Sequence, residues 1–176
     1  VTLWDVAGER QVEVTGDDAE KFIEYITPRD ISKCKVGQCM YILLAERNGG
    51  IVNDPVLLKL SENHFWLSIA DSDVLLWCKG IASSMKFNVN LNEPDVSPLS
   101  LQGPKAPKVM EKIVGSWSRE LKFFNFKKYN IKNIPVVISR SGWSGEAGYE
   151  IFLCDGKFGN ELWEMIMDAG KEFNIA

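Results

Sequence analysis

Two carboxylates stand inside apolar, strand-like segments of the sequence. Asp54 lies between "IV" and "VLL", and Glu150 is the first acid of "YEIFL". A charged side chain in such a segment costs free energy unless it is paired or faces a ligand. Both residues are therefore candidates for accepting hydrogen bonds from a polar ligand. For Asp54 the alternative is a carboxylate on an edge strand, exposed to water, and Pro55 indicates an edge or a bulge.

Aromatic side chains form the second group of candidates. "RSGWSGEAGYE" (140–150) combines three glycines with Trp143, Tyr149 and two glutamates. It is either a tight hairpin whose rings cap a core, or one wall of a pocket for a flat ligand with polar edges. Tyr41 and Trp66 lie in strand-like segments elsewhere. Each ring, taken singly, is more often a core or surface residue than a ligand contact.

The cysteines and the histidine argue against several common chemistries. Cys34, Cys39, Cys78 and Cys154 form no Cys-x-x-Cys pair, and His64 has no partner at metal-ligand spacing. No metal site is expected. Free thiols in a reducing compartment are favoured over disulfides. His64 is expected at the surface, which argues against Ser-His, Cys-His and zinc-based catalysis.

Charge and hydropathy exclude two classes of partner. The net charge is −4 and the basic residues are scattered among acidic ones, which gives no surface for a phosphate backbone. No stretch approaches the roughly 20 apolar residues of a membrane helix. The sequence therefore predicts a soluble, cytoplasmic protein without a nucleic-acid or membrane partner.

The elements that must position these residues are read from hydrophobic periodicity. Strands are expected at 10–16, at both arms of a hairpin at 38–60 with an Asn-Gly-Gly turn, and at 64–70, 86–91, 99–103, 135–142 and 148–153. Helices are expected at 17–26, 71–85, 104–115 and 157–173. Side-chain caps are expected from Asp17 and Asp18 on the first helix and at the start of the second. The order predicts an α+β fold with largely antiparallel sheets, in one domain or two small ones.

Four segments in this order carry a resemblance to a known family: "LWDVAGERQVEVTGDDAEKFIEYIT", "GQCMYILLAERNGGIVNDPVLLKL", "LSLQGPKA" and "RSGWSGEAGYEIFL". Together they resemble the folate-binding region of the aminomethyltransferase superfamily, which includes the T-protein of the glycine cleavage system. The resemblance implies that residues 1–176 are a tetrahydrofolate-binding region truncated at both ends, without the family's C-terminal barrel domain. It also implies weakened or absent activity for these residues alone.

The resemblance assigns roles by position. Asp54 matches the second acid of the family's Gly-Gly-Ile-x-Asp-Asp segment, which implies a catalytic role in holding and polarising tetrahydrofolate near its reactive nitrogens. Glu150 matches the glutamate that accepts hydrogen bonds from the N–H edge of the pterin. Tyr41, Trp66 and Ser68 match positions that line the folate pocket. The glycines of the 140–150 loop then let the backbone turn close to the pterin.

Two departures from the T-protein pattern narrow the resemblance. Asn53 replaces the family's first acid, and "LWDVAGERQVEV" lacks the Ser-His-Met that commonly follows Asp-Val. "ERQVEV" and "LSIADSDVLLWCKGIA" are instead similar to the dimethylsulfoniopropionate demethylases of marine bacteria. Those enzymes transfer a sulfonium methyl group to N5 of tetrahydrofolate, leaving 3-methylthiopropionate and 5-methyltetrahydrofolate.

This narrower resemblance implies a substrate site and a partner. A sulfonium is already an activated leaving group, so displacement needs no protein nucleophile, metal or histidine. Trp143, Tyr149 or Trp66 would hold the sulfonium through a cation–π contact. Dimethylsulfoniopropionate is then the small-molecule substrate, tetrahydrofolate the methyl acceptor, and a homodimer one expected state of the full-length protein.

Four alternatives stay open. A glycine-cleavage-type aminomethyltransferase and the folate domain of a dimethylglycine-type dehydrogenase share the general resemblance, and Asn53-Asp54 also fits the latter. A folate-binding iron–sulfur assembly factor without transferase activity is less favoured, because its Lys-Gly-Cys-Tyr-x-Gly-Gln type segment is absent. A purely structural module is least favoured, since it gives Asp54, Glu150 and the glycine loop no shared purpose.

Overall fold

The structure, a computed structural model, describes residues 1–70 and 72–176. Its strands, in chain order, are β1 (Thr2–Asp5), β2 (Gln11–Thr15), β3 (Cys39–Tyr41), β4 (Leu44–Ala45), β5 (Ile51–Asn53), β6 (Val56–Ser61), β7 (His64–Ser68), β8 (Asn90–Asn92), β9 (Ser97–Gln102), β10 (Phe126–Ile131), β11 (Ile134–Ser139) and β12 (Gly148–Leu153). The α-helices are α1 (Ala19–Ile26), α2 (Val74–Met85), α3 (Ala106–Val114), α4 (Trp117–Glu120) and α5 (Gly159–Gly170). Short 3₁₀ helices occupy Ile31–Lys33, Gly156–Phe158 and Lys171–Phe173.

The chain divides into two units. Gly8–Pro94 form the first, here called the N-terminal unit, and Val1–Ala7 with Asp95–Ala176 form the C-terminal unit. Each contains one five-stranded antiparallel sheet, and the N-terminal unit adds a small ribbon of β4 and β5. Strands and helices are interspersed and the strand pairs are antiparallel. The predicted α+β class is confirmed.

In the N-terminal unit the sheet has the strand order β3-β6-β7-β2-β8. One face packs against α1 and α2 around a core that includes Phe22, Phe65 and Leu67. Helix α1 forms as predicted, because Ala19, Phe22, Ile23 and Ile26 recur at helical spacing and are all buried. The predicted side-chain cap is wrong: Asp18 makes no cap bond to the helix and instead accepts from the Asn88 backbone N–H and from Lys21.

The buried face of α1 gives the first testable prediction. We expect Phe22→Ala to lower the free energy of unfolding by about 3–5 kcal/mol, because a fully buried ring is replaced by a cavity. Glu24→Ala is the matched control on the exposed side of the same helix, with an expected change within about 0.5 kcal/mol. Urea unfolding of both variants measures the difference. Equal effects would contradict the core assignment.

The predicted hairpin at 38–60 is present but interrupted. Its first arm consists of β3 and β4, and its second arm consists of β5 and β6. The break in the second arm falls at Asp54-Pro55, where the carbonyl of Pro55 still accepts from the Ile42 N–H at 3.0 Å. Proline has no N–H for a sheet ladder, so the arm divides there. Asp54 consequently lies in a short irregular link between two strands.

In the C-terminal unit the sheet has the order β1-β9-β12-β11-β10. Alternation along β12 sends Tyr149, Ile151 and Leu153 into the core formed with α3 and α5. Glu150 therefore belongs to the opposite face. Ser100 on β9 and Ser139 on β11 lie directly opposite Glu150 in the two ladders, so they share that face.

Some sequence predictions differ from the structure. Residues 86–91 were expected as a strand, but only Asn90–Asn92 pair, because Lys86 adopts a left-handed conformation that ends α2. The helix expected at 71–85 begins at Val74, with no side-chain cap from Asp73, and Asp71 lies outside the described residues. Strand β10 was missed, since its lysines at exposed positions hide the alternation of an edge strand.

The four cysteines are thiols and not disulfides. Cys34, Cys39 and Cys78 are buried, and Cys154 is half-buried. Burial raises the pKa of Cys78 to about 12 and that of Cys154 to about 11. Within residues 1–70 and 72–176, no helix has the length and apolar character to cross a membrane. No group of three or more His, Cys, Asp or Glu side chains in these same ranges is arranged to hold a metal ion.

Candidate functional site

Asp54 is held by a hydrogen bond within the N-terminal unit. The Tyr41 hydroxyl donates to Asp54 Oδ2 at 2.5 Å, from the end of β3 to the link between β5 and β6. The hydrogen bond to this carboxylate raises the pKa of Tyr41, so the phenol stays protonated as a donor. Asp54 is half-buried. A carboxylate has about four acceptor positions, so this arrangement orients Asp54 while leaving capacity for N–H donors of a ligand.

Sheet register places Ser68 on the same face of the sheet as Tyr41. Tyr41 on β3 and Ser68 on β7 both lie directly opposite Val56 on β6, so the three side chains share one face of the sheet. This face is opposite the one that packs on α1 and α2. Ser68 Oγ accepts from Gln11 Nε2 at 3.1 Å. The structure therefore joins Asp54 to Tyr41 and places Ser68 on the face of Tyr41, with β6 between them, while their role in binding a ligand stays a prediction.

Trp66 lies on the same face two residues earlier in β7, and Glu13 fixes its orientation. Trp66 Nε1 donates to Glu13 Oε1 at 3.1 Å, and Asn92 and His64 also contact this carboxylate. Burial alone would raise the pKa of Glu13, but these hydrogen bonds more than offset it and the pKa is lowered. Trp66 is buried, so its indole ring is a fixed wall of this face.

His64 and Glu13 differ from the sequence expectation. His64 was expected at the surface, but it is half-buried because its Nε2 lies 2.8 Å from Glu13 Oε1. Glu13 was not singled out. The signal was available, since Glu13 alternates with the core residues Val12 and Val14 and so must face away from them.

Glu150 is a buried carboxylate in the C-terminal unit. The Ser141 hydroxyl donates to its Oε2, and Ser141 Oγ also lies 2.8 Å from Ser139 Oγ. Burial raises the pKa of Glu150, and the hydrogen bond from Ser141 opposes that effect only in part. A buried anion with one strong protein donor is under-solvated. It is therefore suited to accept hydrogen bonds from a ligand with N–H groups.

The loop between β11 and β12 carries the remaining predicted residues of the unit. Trp143 is 69% exposed at its tip. Ser144 Oγ donates to Gln102 Oε1 at 2.7 Å, and Gln102 is buried. The sequence assignment missed Gln102 and Ser141, because a polar residue ending a strand and a serine beside glycines are both ordinary turn features.

The assignment of Tyr149 to the substrate site is wrong. The sequence offered it as a sulfonium contact, but its side chain is fully buried. Its hydroxyl donates to the Ser118 carbonyl at 2.9 Å, and the Arg140 guanidinium lies 4.6 Å from the ring centre. The alternation of β12 places Tyr149 on the helix-packed face, opposite to Glu150, and Arg140 already makes the cation–π contact. The structure therefore makes Tyr149 a core residue and removes it from the substrate site.

A comparison with protein families matches the GCVT N-terminal domain over residues 1–176. The chain belongs to this family. The fold agrees with that membership: the aminomethyltransferase T of the glycine cleavage system from Bartonella henselae superposes with a TM-score of 0.85 at 26% identity, covering 99% of this chain and 46% of that one. The predicted resemblance is confirmed at the level of family and fold.

Relatives of this chain include a demethylase and an aminomethyltransferase, which differ in their sequence identity to it. The dimethylsulfoniopropionate demethylase DmdA of Ruegeria pomeroyi is 41% identical over 175 residues, which covers 99% of this chain and 48% of that protein. An aminomethyltransferase of Thermoanaerobacter sp. (strain X514) is 33% identical over 177 residues, covering 98% of this chain and 48% of that protein. The chain thus spans about half the length of these relatives.

Proposed function

We propose that the full-length protein is a tetrahydrofolate-dependent methyltransferase that demethylates dimethylsulfoniopropionate. The observation that carries the proposal is the 41% identity to a dimethylsulfoniopropionate demethylase, against 33% to an aminomethyltransferase over the same region. Asn53 before Asp54 is consistent with the proposal, since it departs from the T-protein pattern. The proposal includes a cytoplasmic location, because cysteines present as thiols and not as disulfides suit a reducing compartment, and a homodimer.

The described residues fit tetrahydrofolate. Its pterin ring has N–H donors on one edge, and a buried carboxylate such as Glu150 is their natural acceptor. Asp54, oriented by Tyr41, offers a second carboxylate for the reactive part of the cofactor. Ser68 and the fixed Trp66 ring supply a polar and an apolar contact on the Tyr41 face. Tyr41, Asp54, Trp66 and Ser68 belong to the N-terminal unit, and Glu150 belongs to the C-terminal unit.

The reaction transfers one methyl group. The S–CH₃ bond of the sulfonium breaks as the N5–CH₃ bond of tetrahydrofolate forms, the sulfur keeps the electron pair as a thioether, and N5 loses its proton to solvent. Asp54 favours the positive charge that develops near N5, because a fixed carboxylate is already oriented before the reaction. Orienting the two reactants contributes further, and well-aligned pairs gain about 7–11 kcal/mol over a free encounter.

Trp143 is the proposed contact for the sulfonium. Its ring is exposed at the tip of the glycine loop, and a cation–π contact at an exposed site contributes about 0.5–1 kcal/mol. Trp66 is less suited, because it is buried and its N–H is bonded to Glu13. The neutral thioether product loses this attraction, which favours its release.

The test is a product assay. Full-length protein is incubated with tetrahydrofolate and dimethylsulfoniopropionate, and 5-methyltetrahydrofolate and 3-methylthiopropionate are measured by mass spectrometry. Formation of both at equal rates is the expected result. A reaction without tetrahydrofolate is the control. Folate binding with neither product would contradict the substrate assignment.

The second candidate is aminomethyl transfer of the glycine cleavage or dimethylglycine type. It is favoured by the 33% identity to an aminomethyltransferase and by the similarity to the Bartonella henselae structure. In that case tetrahydrofolate, held by the same contacts, would accept a one-carbon unit from an amine. An aminomethyl donor in place of dimethylsulfoniopropionate, with 5,10-methylenetetrahydrofolate as the measured product, distinguishes the two candidates in the same assay.

The Tyr41 hydrogen bond gives a further prediction. Tyr41→Phe removes the donor to Asp54 and keeps the ring, so we expect kcat/KM to fall about tenfold. Tyr25→Phe, an exposed tyrosine of the same unit, is the matched control and should leave kcat/KM unchanged. Steady-state kinetics of both variants measure the effect. An unchanged Tyr41→Phe enzyme would show that Asp54 needs no orientation by this phenol.

A further inference from the structure

The side chain of Gln102 lies at the centre of the glycine loop. Gln102 ends β9 and is 5% exposed. Its Nε2 lies 3.0 Å from Ser100 Oγ, 3.2 Å from the Ser141 carbonyl and 3.5 Å from the Tyr149 carbonyl. Its Oε1 accepts from Ser144 Oγ at 2.7 Å. One amide thus joins β9 to the start, the middle and the end of the loop.

Two glycines make room for this amide. A Cβ at Gly142 or at Gly148 would overlap the Gln102 side-chain amide. Gly142 also has φ of +148°, which disfavours other residues in any case, whereas Gly148 is not in the left-handed region. At Gly148 a larger side chain would therefore have to displace the Gln102 amide.

The contacts continue from Gln102 to Glu150. Gln102 bonds the carbonyl of Ser141, and the hydroxyl of Ser141 donates to Glu150. Gln102 also donates to Ser100, which lies directly opposite Glu150 in the sheet. A buried carboxylate with few protein donors depends on each of them for its orientation.

We propose that Gln102 is a positioning residue that holds the 141–148 loop and thereby fixes Ser141 against Glu150. An amide suits this role because its two N–H donors face the Ser100 hydroxyl and the backbone carbonyls of the loop while its oxygen accepts from Ser144, which neither a carboxylate nor a methylene chain can do. The inference rests on the proposed function in one respect, namely that Glu150 binds the pterin. The hold on the loop itself does not depend on that assignment.

The first experiment compares Gln102→Ala with Gln38→Ala in the full-length protein. Gln38 is in the N-terminal unit and also bonds a backbone group, the Lys35 N–H. Hydrogen exchange of the amides at 142–147 should quicken about tenfold in Gln102→Ala and stay unchanged in Gln38→Ala. The Kd for tetrahydrofolate, measured by calorimetry under anaerobic conditions, should rise about tenfold in Gln102→Ala alone. Unchanged loop exchange in Gln102→Ala would overturn the proposal.

The second experiment tests the contact between Gln102 and Gly148. Gly148→Ala forces the amide out of its place, so we expect it also to raise the Kd about tenfold. In the Gln102→Ala background the new methyl group meets no amide, and the double variant should bind within about twofold of Gln102→Ala. Additive effects, about 100-fold together, would overturn the proposal.

Glu150→Gln separates this inference from the proposed function. If Glu150→Gln weakens tetrahydrofolate binding while Gln102→Ala quickens loop exchange without changing the Kd, positioning by Gln102 is overturned and the pterin assignment stands. If neither variant changes the Kd, the pterin assignment fails, and the loop exchange of Gln102→Ala alone decides the positioning role: quicker exchange supports it and unchanged exchange overturns it. Weaker binding in both, with quicker loop exchange in Gln102→Ala, supports both.

Discussion

Asp54→Asn should lower kcat/KM for methyl transfer by about 10²–10³-fold, the effect of removing one preorganised electrostatic group from a reacting centre. Asparagine has the same shape and its carbonyl oxygen still accepts from Tyr41, so the fold and the hydrogen bond are preserved. Only the negative charge that favours developing positive charge at N5 is lost. Steady-state kinetics with both substrates varied measure the change.

Asp73→Asn is the matched control for this variant. Asp73 is exposed in the same unit and its side chain makes no cap bond to α2, so its kcat/KM should stay within about twofold of the wild type. An Asp54→Asn enzyme with unchanged kcat/KM would show that the charge of Asp54 does not act on the reaction. A loss confined to KM would instead assign Asp54 to binding alone.

Glu150→Gln should bind tetrahydrofolate about 10- to 100-fold more weakly, because hydrogen bonds to a charged acceptor are replaced by bonds to a neutral amide. The same change should raise the free energy of unfolding at neutral pH. Burial raises the pKa of Glu150 in the folded chain, so the ionised form is penalised in the native state. Glutamine removes that penalty.

The pH dependence follows from the sign of this shift. A raised pKa gives a contribution to stability that is fully present below the unfolded-state pKa and is lost as pH rises through the folded-state pKa. The stability advantage of Glu150→Gln over the wild type should therefore be absent in acid, below the unfolded-state pKa of Glu150. It should be complete once the pH has risen through the folded-state pKa. Urea unfolding across this range measures it. Glu146→Gln, at an exposed position of the loop before β12, is the control and should change neither tetrahydrofolate binding nor stability. If Glu150→Gln gave no gain in stability, the cost of the ionised Glu150 side chain would be contradicted.

Strong periodicity made much of the fold predictable. Helix α1 and the alternation of β12 follow from residue spacing alone, and Gly115 ends α3 as expected because its backbone adopts φ of +91°. Strand β10 could not be read in this way, since lysines occupy its exposed positions. Its partner β11 follows after a two-residue turn at 132–133, but that turn, Lys-Asn, lacks the glycine of the usual hairpin signal.

The candidate site was predictable where a charge interrupts an apolar segment. Asp54 and Glu150 were found in this way, and the structure gives each a hydrogen-bonding partner. Glu13 was passed over although its alternation with Val12 and Val14 marks it, and Ser141 and Gln102 were not found because both resemble ordinary turn residues. Tyr149 was assigned to the wrong face, since proximity to Glu150 in sequence hides the alternation between them.

The alternation of β12 also constrains how this segment can change during evolution. Tyr149 faces the core and Glu150 faces away from it, so the face that a side chain occupies depends on whether its position in the strand is odd or even. Loss of one residue within the strand would send the carboxylate among apolar side chains and the phenol out of the core. We therefore expect related sequences to vary here by substitution, while changes of length gather in the loop that precedes the strand.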